Sequence, residues 1–235
     1  MKYALILAGG IGSRMGDKNT PKQFYSIGDK PIVIYTTDKF MKNKNIDKII
    51  IVCLSDFIKY TSNLIGYYFK DSEKIEIIAG GENRFESVVK GINYIKRKYK
   101  IKDDDIVVTH DAVRPFINDE IINNNIKVAK KVGACTTAVE CVDTILICNN
   151  KKQIDSVPNR NIMYNVQTPQ SFKLLNLYGL IKNVDKEDYN NYTDLSKLFT
   201  EVNAPIEIVQ GDYNNIKITT QKDLIIAANI HKEQE

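Results

Sequence analysis

The stretch that most constrains this chain is Leu5 to Phe24, LILAGGIGSRMGDKNTPKQF. The apolar run Tyr3 to Ala8 reads as a buried strand, and it empties directly into Gly9-Gly10-Ile11-Gly12-Ser13-Arg14-Met15-Gly16. Three glycines in four positions let backbone N–H groups approach a bound anion with no Cβ in the way. Arg14 adds a fixed charge, and Lys22 follows eight residues later behind Pro21. Glycine loop, arginine and lysine together describe a cradle for a polyphosphate.

Two familiar glycine motifs do not fit. A P-loop needs a Lys-Ser/Thr pair at fixed spacing after its glycines, and none follows here. A dinucleotide fingerprint needs G-x-G-x-x-G after the strand; Gly10, Gly12 and Gly16 miss it because the last gap is one residue too long.

Downstream, strand and helix patterns alternate. Pro31 to Met41 carries apolar residues at helical spacing, Ile46 to Leu54 is a second apolar strand, and Phe57 to Phe69 presents Tyr60, Leu64 and Tyr67 on one helical face. Strand, helix, strand in this order predicts a parallel crossover unit. A short strand at Ile75 to Ala79 runs into Gly80-Gly81-Glu82-Asn83-Arg84-Phe85-Glu86-Ser87, and a helix is expected over Val88 to Tyr99. This second glycine pair repeats the logic of the first, with Arg84 and Ser87 supplying a charge and a hydroxyl near a helix start.

Ile106-Val107-Val108 then leads into Thr109-His110-Asp111-Ala112-Val113-Arg114-Pro115-Phe116. A carboxylate at the carboxyl end of a parallel strand stands where open α/β sheets place their ligands. Asp111 can hold Mg²⁺, which favours a carboxylate plus substrate phosphates. His110 reads as a hydrogen-bonded structural group more readily than as a base. Arg114 could serve the substrate or pair with nearby acids.

Ile121 to Val132 is an amphipathic helix closing near Gly133. Ala134 to Val142 and Thr144 to Ile147 are expected strands, and the polar turn Asn149 to Lys152 makes Cys141 to Val157 a hairpin arm. Helices are expected over Phe172 to Asn183, Leu195 to Glu201 (capped by Thr193-Asp194) and Asp223 to Ile230. Asp185 to Tyr192 reads as a surface loop, Ile206 to Gln210 as a strand, and Lys217 lies in a strand-like run between Ile216 and Ile218. The fold class is therefore α/β: one domain over the 235 residues, a mostly parallel sheet with helices on both faces and a protruding hairpin.

Composition excludes several classes. Net charge is +4, from 33 basic and 29 acidic residues, dispersed rather than clustered. That suits a small anionic substrate and not nucleic acid. The four cysteines, Cys53, Cys135, Cys141 and Cys148, form no C-x-x-C pair and read as buried free thiols in a reducing compartment. No run approaches the ~20 apolar residues of a membrane span, and no signal peptide is evident, so a cytoplasmic protein is expected.

The blocks LAGGIGSRMG…PKQF, GG-x-x-R-x-x-S, HDA-x-RP, QTPQ-x-F (Gln167 to Phe172) and NIKITT (Asn215 to Thr220) resemble, in order, the signature of the sugar and polyol phosphate nucleotidyltransferases. More narrowly they resemble the cytidylyltransferases acting on methylerythritol phosphate or ribitol phosphate. The resemblance implies that the first loop (Leu7, Ala8, Gly9, Gly10, Gly12) wraps the triphosphate of CTP. It gives the second loop (Gly80, Gly81, Glu82, Asn83, Arg84, Ser87), with Ala112, to the cytidine and its phosphates. Arg14, Lys22, Arg160 and Lys217 would be the catalytic cations, with Asp111, Arg114, Thr144, Arg160 and Lys217 on the acceptor. It also implies a homodimer in which the arm carries Thr144 and Arg160 across to the partner; otherwise the arm is purely structural. Mg²⁺ would be the cofactor.

The wording THDAVRPF, PNR-x-x-x-Y-x-x-QTPQSF and Y-x-NIKITT looks closer to the ribitol branch. That implies cytidylyl transfer from CTP to D-ribitol 5-phosphate, giving CDP-ribitol for teichoic acid or capsule polymer. The alternative within the family is 2-C-methyl-D-erythritol 4-phosphate in isoprenoid synthesis, and the alternative from another class is a catalytically silent nucleotide-binding module.

Overall fold

The continuous apolar strands foreseen at residues 3–8 and 46–54 form the inner part of a single large sheet. The computed structural model describes residues 1–10, 12, 15, 20–70 and 72–234. Its first half contains β1 (Lys2–Ala8), the small pair β2 (Ser26–Ile27) and β3 (Lys30–Pro31), α1 (Ile32–Lys42), β4 (Lys48–Cys53), α2 (Ile58–Tyr68), β5 (Ile75–Ala79) and α3 (Arg84–Lys98). There follow β6 (Ile106–Asp111), α4 (Asp119–Val132), β7 (Ala134–Glu140), β8 (Ile147–Cys148), β9 (Ile154–Ser156), β10 (Tyr164–Lys173), α5 (Leu174–Ile181), α6 (Ser196–Glu201), β11 (Glu207–Gln210) and α7 (Gln221–Gln234).

Seven strands make one sheet in the order β11-β7-β10-β6-β1-β4-β5. β6, β1, β4 and β5 are mutually parallel, β11 is parallel to β7, and β10 alone runs antiparallel between β6 and β7. Alternate residues of β1 feed opposite layers, because side chains point to the two faces by turns. Ala4 and Ile6 pack with Val33 and Phe40 of α1 and Ile122 of α4, while Tyr3 and Leu5 pack with Val88 and Ile92 of α3 and Leu177 of α5. Burial on both faces is why these strands are apolar throughout rather than alternating.

Several boundaries differ from the sequence reading. α3 begins at Arg84, because Asn83 caps it: the Asn83 side chain accepts from Glu86 N at 2.8 Å, and Glu86 Oε2 accepts from Glu82 N at 2.7 Å. A helix reading begun at Val88 misses this polar cap and also Phe85, which is buried on the same face one turn earlier. Phe172 belongs to β10 and α5 starts only at Leu174. Residues 186–191 form a short 3₁₀ segment whose Tyr189, together with Tyr192, packs on Phe85. The expected strand from Thr144 shrinks to Ile147–Cys148, paired with β9, and Cys148 is exposed while Cys53, Cys135 and Cys141 are buried. The run around Lys217 is not a strand. It is an irregular segment held by Ile218, whose N–H donates to Val113 O at 2.9 Å. Among the described residues no helix is long and apolar enough to cross a membrane.

Candidate active site

Asp111 ends β6, the central strand of the sheet, and stands at its carboxyl edge. Around it a cavity of about 290 Å³ is lined by Leu7, Gly9 and Gly10 from the end of β1, Lys22 and Gln23, Glu82 to Arg84 and Ser87, then Val113 and Lys217. Each arrives by a local device. Lys22 sits in a single 3₁₀ turn, Lys22–Phe24, anchored where Phe24 stacks on Phe57 at 5.4 Å and meets Tyr60 edge-on at 4.9 Å. Gln23 fixes that turn to the strand, donating from Nε2 to Ala8 O at 2.6 Å. Gly12 has φ +73°, and a Cβ there would fall 2.9 Å from Lys22 Cβ, so only glycine lets the loop lie against the lysine. In the second loop Gly81 N donates to Ser87 Oγ at 3.0 Å, and Ser87 Oγ donates to Asn83 O at 2.9 Å.

The electrostatic centre is a single carboxylate among cations. Lys217 Nζ is 2.7 Å from Asp111 Oδ2, Arg84 Nε is 3.3 Å from Oδ1, and Arg114 Nε is 4.0 Å from Oδ2. Burial would raise the Asp111 pKa, but Arg84, Lys217 and Arg114 outweigh it and hold the group far below the usual carboxylate range. Three cations on one anion leave net positive charge facing the cavity, and Arg84 Nη1 is buried with no hydrogen-bond partner among the described residues. Such an arrangement is complementary to a polyanionic ligand.

His110 is settled by its hydrogen bonds. Its Nε2 lies 3.0 Å from Arg114 O, a pure acceptor, so Nε2 carries the proton; Nδ1 therefore accepts from Thr168 Oγ1 at 3.1 Å. Thr168 Oγ1 in turn accepts from Asp111 N at 3.1 Å. Burial pushes the imidazole down to about 4, against the opposing hydrogen bond to Arg114 and the Asp111 charge. It is a neutral brace for the 110–114 turn.

The structure thus brings together Leu7, Gly9, Gly10, Lys22, Glu82, Asn83, Arg84, Ser87, Asp111 and Lys217 from the sequence reading. Ala8, Gly12, Gly80, Gly81, Ala112 and Arg114 stand behind this lining as support: Ala112 N donates to Leu7 O at 3.0 Å, and Arg114 Nη1 donates to Asn215 O at 2.7 Å. Arg14 and Gly16 lie outside the described residues. Thr144 and Arg160 do not line this cavity. Arg160 lines a separate cavity at the base of the arm, with Glu140, Cys141, Val142, Asn161 and Tyr213, and donates from Nη1 to Val142 O at 2.9 Å. Gln23 and Val113 were missed as lining residues, although both lie inside the quoted blocks.

As a resident metal site the described residues fit poorly. Both Asp111 oxygens already face cationic side chains, and no group of three or more His, Cys, Asp or Glu that could hold a metal ion occurs among the described residues.

Comparison with known proteins agrees with this geometry. A crystal structure of 4-diphosphocytidyl-2C-methyl-D-erythritol synthase from Anaerococcus prevotii DSM 20548 superposes with a TM-score of 0.81 at 30% identity, covering 98% of this chain and 96% of that one. The 2-C-methyl-D-erythritol 4-phosphate cytidylyltransferase (IspD) of Francisella tularensis gives 0.77 at 29%, covering 96% and 97%. The enzyme of that name from Thermus thermophilus gives 0.72 at 20%, covering 97% and 98%, a likeness of fold alone. The family model described as IspD, 2-C-methyl-D-erythritol 4-phosphate cytidylyltransferase, matches residues 3–233. With nearly the whole chain matched and its glycine loops and cations gathered at one cavity, this protein belongs to the IspD family of cytidylyltransferases.

Proposed function

We propose that this cytidylyltransferase moves the cytidylyl group of CTP to D-ribitol 5-phosphate, giving CDP-ribitol and pyrophosphate for a teichoic acid or capsule polymer. The observation that carries the reading is the Asp111 cluster, with Arg84, Lys217 and Arg114 on one buried carboxylate at the floor of a glycine-lined cavity. An oxygen of the acceptor phosphate attacks the α-phosphorus, and the bond from that phosphorus to the α–β bridging oxygen breaks as pyrophosphate leaves. The acceptor phosphate is ionised near neutral pH, so the step needs alignment and charge stabilisation rather than a strong base. That suits a site whose one histidine is a neutral brace. Lys22 serves the nucleotide side and Lys217 the acceptor; Arg14 keeps the role the resemblance gives it. Mg²⁺, if required, would be brought by the nucleotide as its counter-ion and would add to the charge stabilisation that Lys22 and Lys217 supply.

The choice of ribitol rests on the wording of three segments, residues 109–116, 158–172 and 213–220. Hydrogen bonds tie them into one wall: Arg114 Nη1 to Asn215 O, Asn215 Nδ2 to Thr168 O at 2.9 Å, and Asp111 N to Thr168 Oγ1. The second reading, methylerythritol 4-phosphate as acceptor, is favoured by the activity for which the similar solved structures are named.

A homodimer through the arm belongs to the same proposal. Val142, Leu146, Ile147, Ile154, Val157 and Ile162 are all exposed on or beside the arm, an apolar surface suited to a second copy. The test is pyrophosphate release with CTP and Mg²⁺, comparing the two acceptors. A kcat/KM at least about tenfold higher for ribitol 5-phosphate is expected. The reverse preference establishes the second reading, and no release with either acceptor removes cytidylyl transfer to these polyols altogether.

A further inference from the structure

Gln221, the first residue of α7, reaches back across the chain to the glycine loop: its Nε2 donates to Met15 O at 2.9 Å. Both ends of this contact are anchored. Met15 is buried, and its N–H donates to Gly12 O at 2.8 Å, while Gly12 lies against Lys22. At the other end, Asp223 Oδ2 accepts from Thr219 N, Thr219 Oγ1 and Thr220 N, each at 2.8 Å, and Ile218 is fully buried just after Lys217. A continuous path therefore runs Lys217, Thr219–Asp223, Gln221, Met15, Gly12, Lys22. It joins the two lysines by a route other than the cavity floor.

We propose that Gln221 is a positioning residue, a strap that sets Met15 and Gly12 against the Lys217 segment and so prepares this side of the cavity for the β- and γ-phosphates of the nucleotide. The proposal rests on the reading of the glycine loop as the triphosphate cradle. Gln221 is itself exposed, so losing it costs the fold little. Without the strap, Met15 and Gly12 lose their tie to the Lys217 segment, the bound triphosphate has to supply that positioning itself, and affinity falls by that amount.

The test is calorimetric titration of the full chain with CTP and with CMP, in wild type, Gln221→Ala and Gln221→Glu, alongside thermal unfolding without ligand. Glutamate keeps the size of the side chain but offers the Met15 carbonyl no donor. Both variants should bind CTP about three- to tenfold more weakly, the range for one lost hydrogen bond, with CMP affinity and melting temperature close to wild type. Equal CTP affinity in all three proteins overturns the proposal. So does parallel weakening for CTP and CMP with a lowered melting temperature, which makes Gln221 a fold contact only. A wild-type chain that binds no CTP at all is a separate outcome, because it removes the triphosphate reading on which the strap depends.

Discussion

Lys217 Nζ and Asp111 Oδ2 are 2.7 Å apart, yet Asp111 ends the central strand of the sheet while Lys217 follows the edge strand β11, 106 positions further along the chain. The carboxylate is buried and the lysine is partly open to solvent, so Asp111 acts as the fixed post and Lys217 as the group it aims. Replacing Asp111 by Asn keeps the shape and removes the charge. Lys217, Arg84 and Arg114 then repel one another without a common anchor, and kcat should fall on the order of 10²-fold, more than CTP affinity suffers. Steady-state kinetics with CTP and acceptor varied in turn decides it; an unchanged kcat means the cluster holds the fold and not the reacting groups.

Lys22→Ala should act mainly on turnover. The ammonium stands at the cavity wall on a turn stiffened by Phe24 and Gln23, the placement expected of a preorganised charge. The loss should be on the order of 10²-fold in kcat or more. A variant with normal kcat and only a raised KM for CTP would make Lys22 a ground-state anchor.

Stability should decline in mild acid because of His110. Its folded pKa, about 4, lies below the ordinary 6.5, so between these values the unfolded chain binds the proton that the folded one refuses. The contribution is whole above about pH 6.5 and is lost as pH falls towards 4, up to roughly 3 kcal/mol from this one group. Urea unfolding at pH 7 and pH 5 measures it. A His110→Gln variant should show a shallower slope over that interval, and an identical slope would assign the acid sensitivity elsewhere.

If the arm serves the neighbouring subunit, two dead variants should rescue each other. Mixing Arg160→Ala with Lys22→Ala places both defects in one site of each mixed dimer and leaves the other site intact. After subunit exchange, activity should approach about a quarter of wild type, since half the dimers are mixed and each has one good site. Persistent inactivity with exchange verified would return Arg160 to its own chain.

The inner strands were legible because each is buried on two faces and must be apolar from end to end, as Ile49 to Val52 are. β10 was not, although it is ten residues long. Its sequence YNVQTPQSFK is polar, and Pro169 cannot donate to a ladder, so it sits where the pairing with β7 shifts between Val166 and Gln170. Polar Gln170 is tolerated inside because its amide Nε2 has Thr136 Oγ1, the Asp194 carboxylate and Ser196 Oγ within 3.1 Å, more acceptors than its two N–H groups need. At the site, glycines and cations announced themselves through chemistry that apolar packing does not need. Gln23 and Gln221 did not, since a neutral amide becomes informative only once its partners, Ala8 O and Met15 O, are seen.

The central position of β6 has a consequence for how the molecule comes apart. Arg84 enters from the β5 side, Lys217 from beyond β11, and both meet at the end of the middle strand. A polyanion seated there would act as a removable stitch between the two wings. Nucleotide would then slow amide exchange and proteolysis in segments it never touches, as far out as the edge strands β5 and β11, by suppressing the opening of one wing from the other.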